Sequence, residues 1–500
     1  MPRPSQSNET AASLIARDLD VLWHPCAQMS DYATFAPLHV VGAKGCRIQL
    51  ADGRELLDAI SSWWCKALGH GHPRLTAALK EQADAFEHVI LANTTNEGVV
   101  RLCERLLAAA NGLPIEHWGP GATPGRQPGY YGKVFLADNG STGVEIALKM
   151  ALHAHANQGR ASRTHFAALA GGYHGETAGA LAVGDIDWAT SPYRPMLFDV
   201  TKVTGLPCRT GPDDPRWQDA TDEWPTIQAQ LDKVADTLAA IIYEPVLQGA
   251  GGMLLYSPDL LRRLRDWADA HDVYLIADEI AAGFGRLGAM LATHWAMCDV
   301  RSSMCDVSSG DAPHRTSKIA HRTSNIHLPH FAVVSKGLTG GYLPLSAVLT
   351  TDAIYDQFLG AYGDGRALMH SNTYTGNALA VAVANAVFDV FADEDVLGRV
   401  ARNGPTMTAA LRSLAVDRPY LHGVRGCGMF AAVDIRQPDG SPLDARRRTG
   451  YRVYQEAVRR GALLRPLADT MYLFPPLNTE PADIDAMASV LADSLDEVMG

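Results

Sequence analysis

The sequence predicts an α/β protein: a large domain on a mostly parallel central sheet, and a smaller α+β domain made from the terminal segments. Three observations lead there. Runs of four to six apolar residues recur through the middle of the chain, amphipathic stretches lie between them, and polar residues of unusual chemistry follow several of the runs.

The runs are Val134–Ala137, Leu238–Tyr243, Val273–Ala277 and Phe331–Val334. They show no polar alternation, as expected of strands covered on both faces. The stretches 144–156 and 257–271 read as helices, the second with Leu260, Leu261, Leu264 and Trp267 on one face. Strand, helix, strand in alternation is the order of a doubly wound sheet. From about Ala378 the pattern becomes a long helix, a strand region at 423–435, a charged helix near 443–461 and a closing helix from Pro481. Near the start, Ile48-Gln49-Leu50-Ala51-Asp52-Gly53 reads as a strand entering a tight turn. The expected division is therefore an N-terminal segment, 1–75, packing with a small domain at 378–500, and a large domain at 76–377. Gly/Pro punctuation at 119–132 predicts a surface loop. The stretch 297–330 reads as an insertion, because MCDVRSS is followed at once by MCDVSSG and HRTSK is echoed by HRTSN. It carries Cys298, Cys305, His314, His321, His327 and His330, but no pair has zinc-finger spacing, so a polar loop rather than a metal site is expected.

Composition narrows the function. Lys plus Arg is 43 against 55 for Asp plus Glu, a net charge of −12 that argues against a nucleic-acid partner. The eight cysteines form no C-x-x-C pair and read as reduced thiols. The opening MPRPSQSNETAAS lacks the apolar core of a secretory signal. The most apolar stretch, 378–392, is interrupted by Asn385 and Asp389 and is too short for a bilayer, so a cytoplasmic protein without membrane contact is expected.

Ligands of open parallel sheets collect at the carboxyl ends of strands, and three such ends stand out. The first run leads into Asp138-Asn139-Gly140-Ser141-Thr142, small residues opening a helix, which suit a phosphate or serve as ordinary caps. The run at 273–277 leads into Asp278-Glu279, with Arg286 shortly after; a buried carboxylate there is a helix cap, an ion-pair partner of Arg286, or the partner of a cationic ligand atom. Phe331–Val334 leads into Ser335-Lys336-Gly337. The chain has only nine lysines against 34 arginines, and a lysine walled by apolar residues can attack a carbonyl. Phosphate cradle, acid and lysine together are what pyridoxal 5′-phosphate requires: an amine for its aldehyde, a carboxylate for its ring nitrogen and a helix end for its phosphate.

These residues lie within a longer series: Asn139–Thr142, Gly172-Tyr173-His174-Gly175-Glu176-Thr177, Glu244-Pro245 with Gln248-Gly249, Asp278-Glu279-Ile280 through Gly283–Arg286, Ser335-Lys336-Gly337, and His370-Ser371-Asn372-Thr373-Tyr374. The series resembles the class III pyridoxal-phosphate aminotransferases of fold type I, in family order and over nearly the whole chain. The resemblance implies a two-domain homodimer with each active site at the interface. It gives Lys336 the catalytic role and places Gly140, Ser141, Tyr173, Asp278, Asn372 and Thr373 around the cofactor. Tyr173 would stack on the ring, Ile280 would pack its other face, and Thr373 would reach the phosphate from the partner subunit. Further pieces, Trp23–Met29, Ser61-Ser62-Trp63-Trp64 with Gly69-His70, and Arg465-Pro466 leading to Tyr472–Pro476, resemble the branch that serves biotin synthesis. That branch moves an amino group from S-adenosylmethionine onto 8-amino-7-oxononanoate. By that likeness Trp63, Tyr173 and Ser371 line the substrate pocket, and Arg465 binds the acceptor's carboxylate. Cys26 stands where familiar members have a tyrosine against the adenine, and Ser371-Asn372 where they have Gly-Pro. Cys26 thus leaves lysine open as an alternative donor, and another ω-amino acid or diamine aminotransferase is the neighbouring reading.

Overall fold

The computed structural model describes residues 11–119, 121, 127–297 and 328–500. Cys298, Cys305, His314, His321 and His327 of the insertion lie outside the described residues, as does part of the Gly/Pro segment. His330 is described and serves the fold: its Nδ1 accepts the Leu275 N–H at 3.0 Å and its ring packs edge-on against Tyr274.

Seven strands form the central sheet: β1 (Tyr131–Ala137), β2 (His165–Leu169), β3 (Val200–Val203), β4 (Leu238–Tyr243), β5 (Tyr274–Asp278), β6 (Phe331–Val334) and β7 (Ser346–Thr351). Their spatial order is β1-β7-β6-β5-β4-β2-β3, and β7 alone runs against its neighbours. Every residue of β4, β5, β6 and β7 is buried, which is why these runs lack polar alternation. Register places the site. Asp278 of β5 pairs with Val333 of β6, so the acid and Lys336, three residues further along, leave the same edge of the sheet.

β1 begins at Tyr131, inside the stretch expected to be loop. Tyr131 is fully buried, and the side chain of Asn111 takes the place of a neighbouring strand, accepting the Tyr131 N–H at 2.8 Å and donating to its carbonyl at 2.9 Å. The helix after β1, α1 (Gly140–Asn157), starts four residues ahead of its apolar periodicity, because Asn139 and Thr142 form a capping box. Helix α2 (Asp259–Ala270) buries Leu260, Leu261, Leu264 and Trp267 as predicted.

The C-terminal stretch holds two helices rather than one long one, α3 (Ala378–Asp393) and α4 (Val396–Val416), separated where Asp395 turns left-handed at φ +48°. A charged helix, α5 (Thr449–Arg459), and the closing α6 (Pro481–Met499) follow. Strand 55–58 pairs antiparallel with 47–50, across a turn with Gly53 at φ +86°, and parallel with 462–463. N- and C-terminal segments therefore share one sheet. Among the described residues no helix is long and apolar enough to cross a membrane.

Candidate active site

Asp278 closes β5 and is 3% exposed. Its Oδ2 lies 2.8 Å from Nδ1 of the equally buried His174, and its Oδ1 accepts the Ile280 N–H at 3.0 Å. The pairing with Arg286 that the sequence left open does not form. Arg286 donates to the carbonyls of Met429 (2.7 Å) and Pro475 (2.6 Å) and lies 3.8 Å over the Phe474 ring, where burial pulls its pKa down to about 9. His174 Nε2 is buried with no partner among the described residues.

Two further carboxylates surround Asp278. Glu244, just past β4, accepts the Tyr173 N–H at 2.9 Å and the Gly249 N–H at 3.0 Å. Burial pushes its pKa up to about 7, against the pull of His174 and with the help of Asp278. Glu279 accepts the Ala292 and Thr293 N–H groups, both at 2.8 Å, which ties down the loop after β5; burial raises it to about 7 as well.

Lys336 follows β6 with its backbone at φ +34°, and its Nζ lies 5.2 Å from the centroid of the Trp64 ring. Burial lowers its pKa, opposed by Asp278, Glu244 and Cys65. A lysine so placed spends more time as a neutral, nucleophilic amine. At the N-terminus of α1 the Asn139 side chain takes the Thr142 N–H, while among the described residues the amides of Gly140 and Ser141 have no partner. Ile280 presses on this end: a Cβ at Gly140 would come within 2.8 Å of its Cδ1. Tyr173 is half-buried and donates its hydroxyl to Glu176 at 3.0 Å.

The two tryptophans divide. Trp64 is core, donating to the Tyr472 hydroxyl at 3.2 Å, whereas Trp63 is 41% exposed with the Arg465 guanidinium 4.4 Å from its ring centroid. Arg465 also donates to the Cys26 carbonyl at 2.9 Å. Among the described residues no carboxylate pairs with it. Beside it lies a cleft of about 410 Å³, lined by Cys26, Tyr32, Phe35, Tyr451, Tyr454 and Arg465 among others. The turn carrying both tryptophans is left-handed at four successive non-glycine residues: Ser61, Ser62, Trp63 and Trp64 have φ of 50°, 45°, 73° and 71°. Such backbone costs roughly 1–2 kcal/mol per residue, so the surroundings must enforce it.

Ser371, Asn372 and Thr373 have other neighbours among the described residues. The segment leading to them runs along α1, where His370 meets Lys149 at 2.9 Å, and Tyr374 then packs on His88. None of the three is hydrogen-bonded to Lys336, Asp278 or Tyr173 of its own chain. His174 and Glu244 belong to motifs visible in the sequence but carried no assigned contact there. Asp58 carried no signal beyond preceding the serine–tryptophan turn. Among the described residues no cluster of His, Cys, Asp and Glu could hold a metal ion.

A strand-end lysine, a buried acid and a helix start with unpartnered amides among the described residues, all on this sheet, are the arrangement of a pyridoxal-phosphate enzyme of fold type I. Residues 29–310 and 315–495 match the family Aminotransferase class-III, and the chain belongs to it. It is 34% identical over 492 residues to the adenosylmethionine-8-amino-7-oxononanoate aminotransferase of Helicobacter pylori, covering 97% of this chain and 98% of that one. The enzyme of the same name from Synechococcus elongatus is 35% identical over 483 residues, covering 95% and 99%. Among solved structures, that of the Methanocaldococcus jannaschii enzyme of this name has a TM-score of 0.80 at 29% identity, covering 97% of this chain and 98% of its own. A PLP-bound amine transaminase from an uncultivated Pseudomonas species also has a TM-score of 0.80 at 29% identity, covering 95% and 98%.

Proposed function

We propose that this class III aminotransferase uses pyridoxal 5′-phosphate to move the amino group of S-adenosylmethionine onto the ketone of 8-amino-7-oxononanoate, giving 7,8-diaminononanoate for biotin synthesis in the cytoplasm. The observation that carries the acceptor is Arg465. Its guanidinium, which pairs with no carboxylate among the described residues, lies over Trp63, across one turn from the tryptophan that meets Lys336. A planar fork of donors suits the carboxylate of a long aliphatic acid, a group that a simple amine substrate lacks.

The residues present fit the cofactor. Lys336 offers a buried amine to its aldehyde, Asp278 an anion to its ring nitrogen, and Gly140 and Ser141 unpartnered amides to its phosphate. Tyr173 and Ile280 would cover its two faces. Bound there, the cofactor supplies an electron sink for the electrons released at the amine-bearing carbon. Lys336 Nζ would hold the cofactor's aldehyde and, once free, would be the base that takes a proton from the substrate's amine-bearing carbon and returns it. Arg465 and Trp63 hold the far end of the acceptor, with Tyr173 and Ser371 lining the pocket. That Ser371, Asn372 and Thr373 make no hydrogen bond to their own Lys336 or Asp278 among the described residues supports a homodimer in which they complete the partner's site. The sheet shared by strands 55–58 and 462–463 supports taking 1–75 with 378–500 as the small domain and 76–377 as the large one.

The donor is tested by mixing the pyridoxal form with S-adenosylmethionine or lysine separately and following the visible band as the pyridoxamine form appears. Conversion by S-adenosylmethionine is expected. Cys26 offers no ring to adenine, so a contact worth about 1–3 kcal/mol, by analogy with base stacking, is missing and binding should be weaker than at a tyrosine-bearing site. Conversion by lysine alone would replace the donor and leave the aminotransferase reading intact.

A further inference from the structure

We propose that Asp58, acting with Ser62 and His70, is a positioning group for the acceptor pocket: it holds the left-handed turn 61–64 in the conformation that sets the Trp63 ring beneath Arg465. The inference rests on the acceptor reading above and adds residues to which that reading gives no role.

Asp58 ends strand 55–58 and is fully buried. Its carboxylate is satisfied by the turn and by one histidine. Oδ1 accepts the Ser62 N–H at 2.9 Å, while Oδ2 accepts the Ser62 hydroxyl at 2.7 Å and meets His70 Nε2 at 2.8 Å. A buried carboxylate demands such partners; the Ile60 N–H also reaches Oδ1, at 3.4 Å, and two of the four contacts come from one residue at positive φ.

The turn has two kinds of anchor. Its ends are tied to the C-terminal segment: Ser61 donates its hydroxyl to the Phe474 carbonyl at 2.7 Å, and Trp64 donates its indole N–H to Tyr472. Its middle is tied through Ser62: the N–H and hydroxyl go to Asp58, the hydroxyl also lies 3.3 Å from His70 Nε2, and the carbonyl accepts the Cys65 thiol at 3.2 Å. Trp63 is half-exposed, and the Arg465 guanidinium is the group seated on its face. Trp64 would thus stay in the core without Asp58, whereas the direction of Trp63 depends on Ser62 keeping its left-handed backbone. His70 steadies Asp58 from outside the turn, because its own backbone is paired with Gly45.

The test is steady-state kinetics on the PLP-loaded enzyme. Asp58→Ala is expected to raise KM for 8-amino-7-oxononanoate at least tenfold, with kcat within about threefold of the parent and no change in the affinity for PLP or in the donor half-reaction. An unchanged KM, or KM, kcat and PLP affinity all worsening together, would overturn the positioning role. If Asp58→Ala does not fold, Ser62→Ala removes one hydroxyl only; a KM rise of threefold or more supports the proposal and none overturns it. Trp63→Ala separates this from the reading beneath it. A raised KM in Trp63→Ala with none in Asp58→Ala defeats the positioning role alone, while an unchanged KM in Trp63→Ala places the acceptor pocket elsewhere and defeats both.

Discussion

At the scale of single residues, the site turns on which charges have partners. Asp278 is held by His174 and a backbone amide, and among the described residues no lysine or arginine forms an ion pair with it, which leaves it available to a positively charged ligand atom. Asp278→Ala is therefore expected to abolish turnover by removing the anion that keeps the pyridine nitrogen protonated, while the visible band of PLP on Lys336 persists. Near-normal turnover would mean that another carboxylate does this work. Arg465→Ala removes one charge-assisted contact of about 1.5–3 kcal/mol, so affinity for the keto acid should fall about ten- to a hundredfold while the donor half-reaction changes little. Loss confined to the donor step would place Arg465 in a different pocket. Lys336 and Asp278 were legible in the sequence because each follows a buried run, where a charged residue is out of place unless it is used. The His174–Asp278 pair was not, since its members are 104 residues apart and only the sheet brings them together. Nor was the left-handed turn at 61–64, because no glycine marks it.

At the scale of elements, the fully buried strands were the most legible. Leu238–Tyr243 and Phe331–Val334 have the limits their apolar runs gave, because a run without polar interruption ends where burial ends. Boundaries fixed by side-chain hydrogen bonds were missed: the start of β1 depends on Asn111, that of α1 on Asn139, and the break between α3 and α4 on the backbone of Asp395. The loop after β5 depends likewise on Glu279. Its pKa of about 7 in the fold lies above the ordinary 4.5. Between those values the folded protein holds a proton that the unfolded chain has released, so the stability this group contributes is full below about pH 4.5 and is lost as pH rises through 7. The apoenzyme's thermal midpoint should therefore fall between pH 5 and 8, and Glu279→Gln should flatten that slope by at most about 3 kcal/mol in unfolding free energy. The comparison is of slopes, since the amide also disturbs one hydrogen bond at every pH. A variant with the parent's slope would show that Glu279 is ionised throughout.

At the scale of the whole molecule, one exposed apolar surface adjoins the segment that carries the phosphate-binding expectation. Ile90 is 64% exposed, Met369 86% and Tyr374 58%, and the ring contact between His88 and Tyr374 makes these two segments neighbours. Monomeric proteins seldom expose contiguous apolar patches of more than a few hundred Å². Ser371, Asn372 and Thr373 lie in the same segment and, among the described residues, make no hydrogen bond to Lys336, which fits the proposed homodimer with a second copy seated there. The double variant Ile90→Lys with Tyr374→Lys, placing like charges where the two copies would meet, should give a monomer by light scattering at micromolar concentration. PLP titration of that monomer should then show affinity lower by about ten- to a hundredfold, since the proposed contact from the partner subunit to the phosphate would be a hydrogen bond to a charged group. The buried amine of Lys336 is untouched by the change, so the visible band should still form at saturating cofactor. A monomer that binds PLP as tightly as the parent would show that each chain completes its own phosphate site, and Thr373 would lose its role.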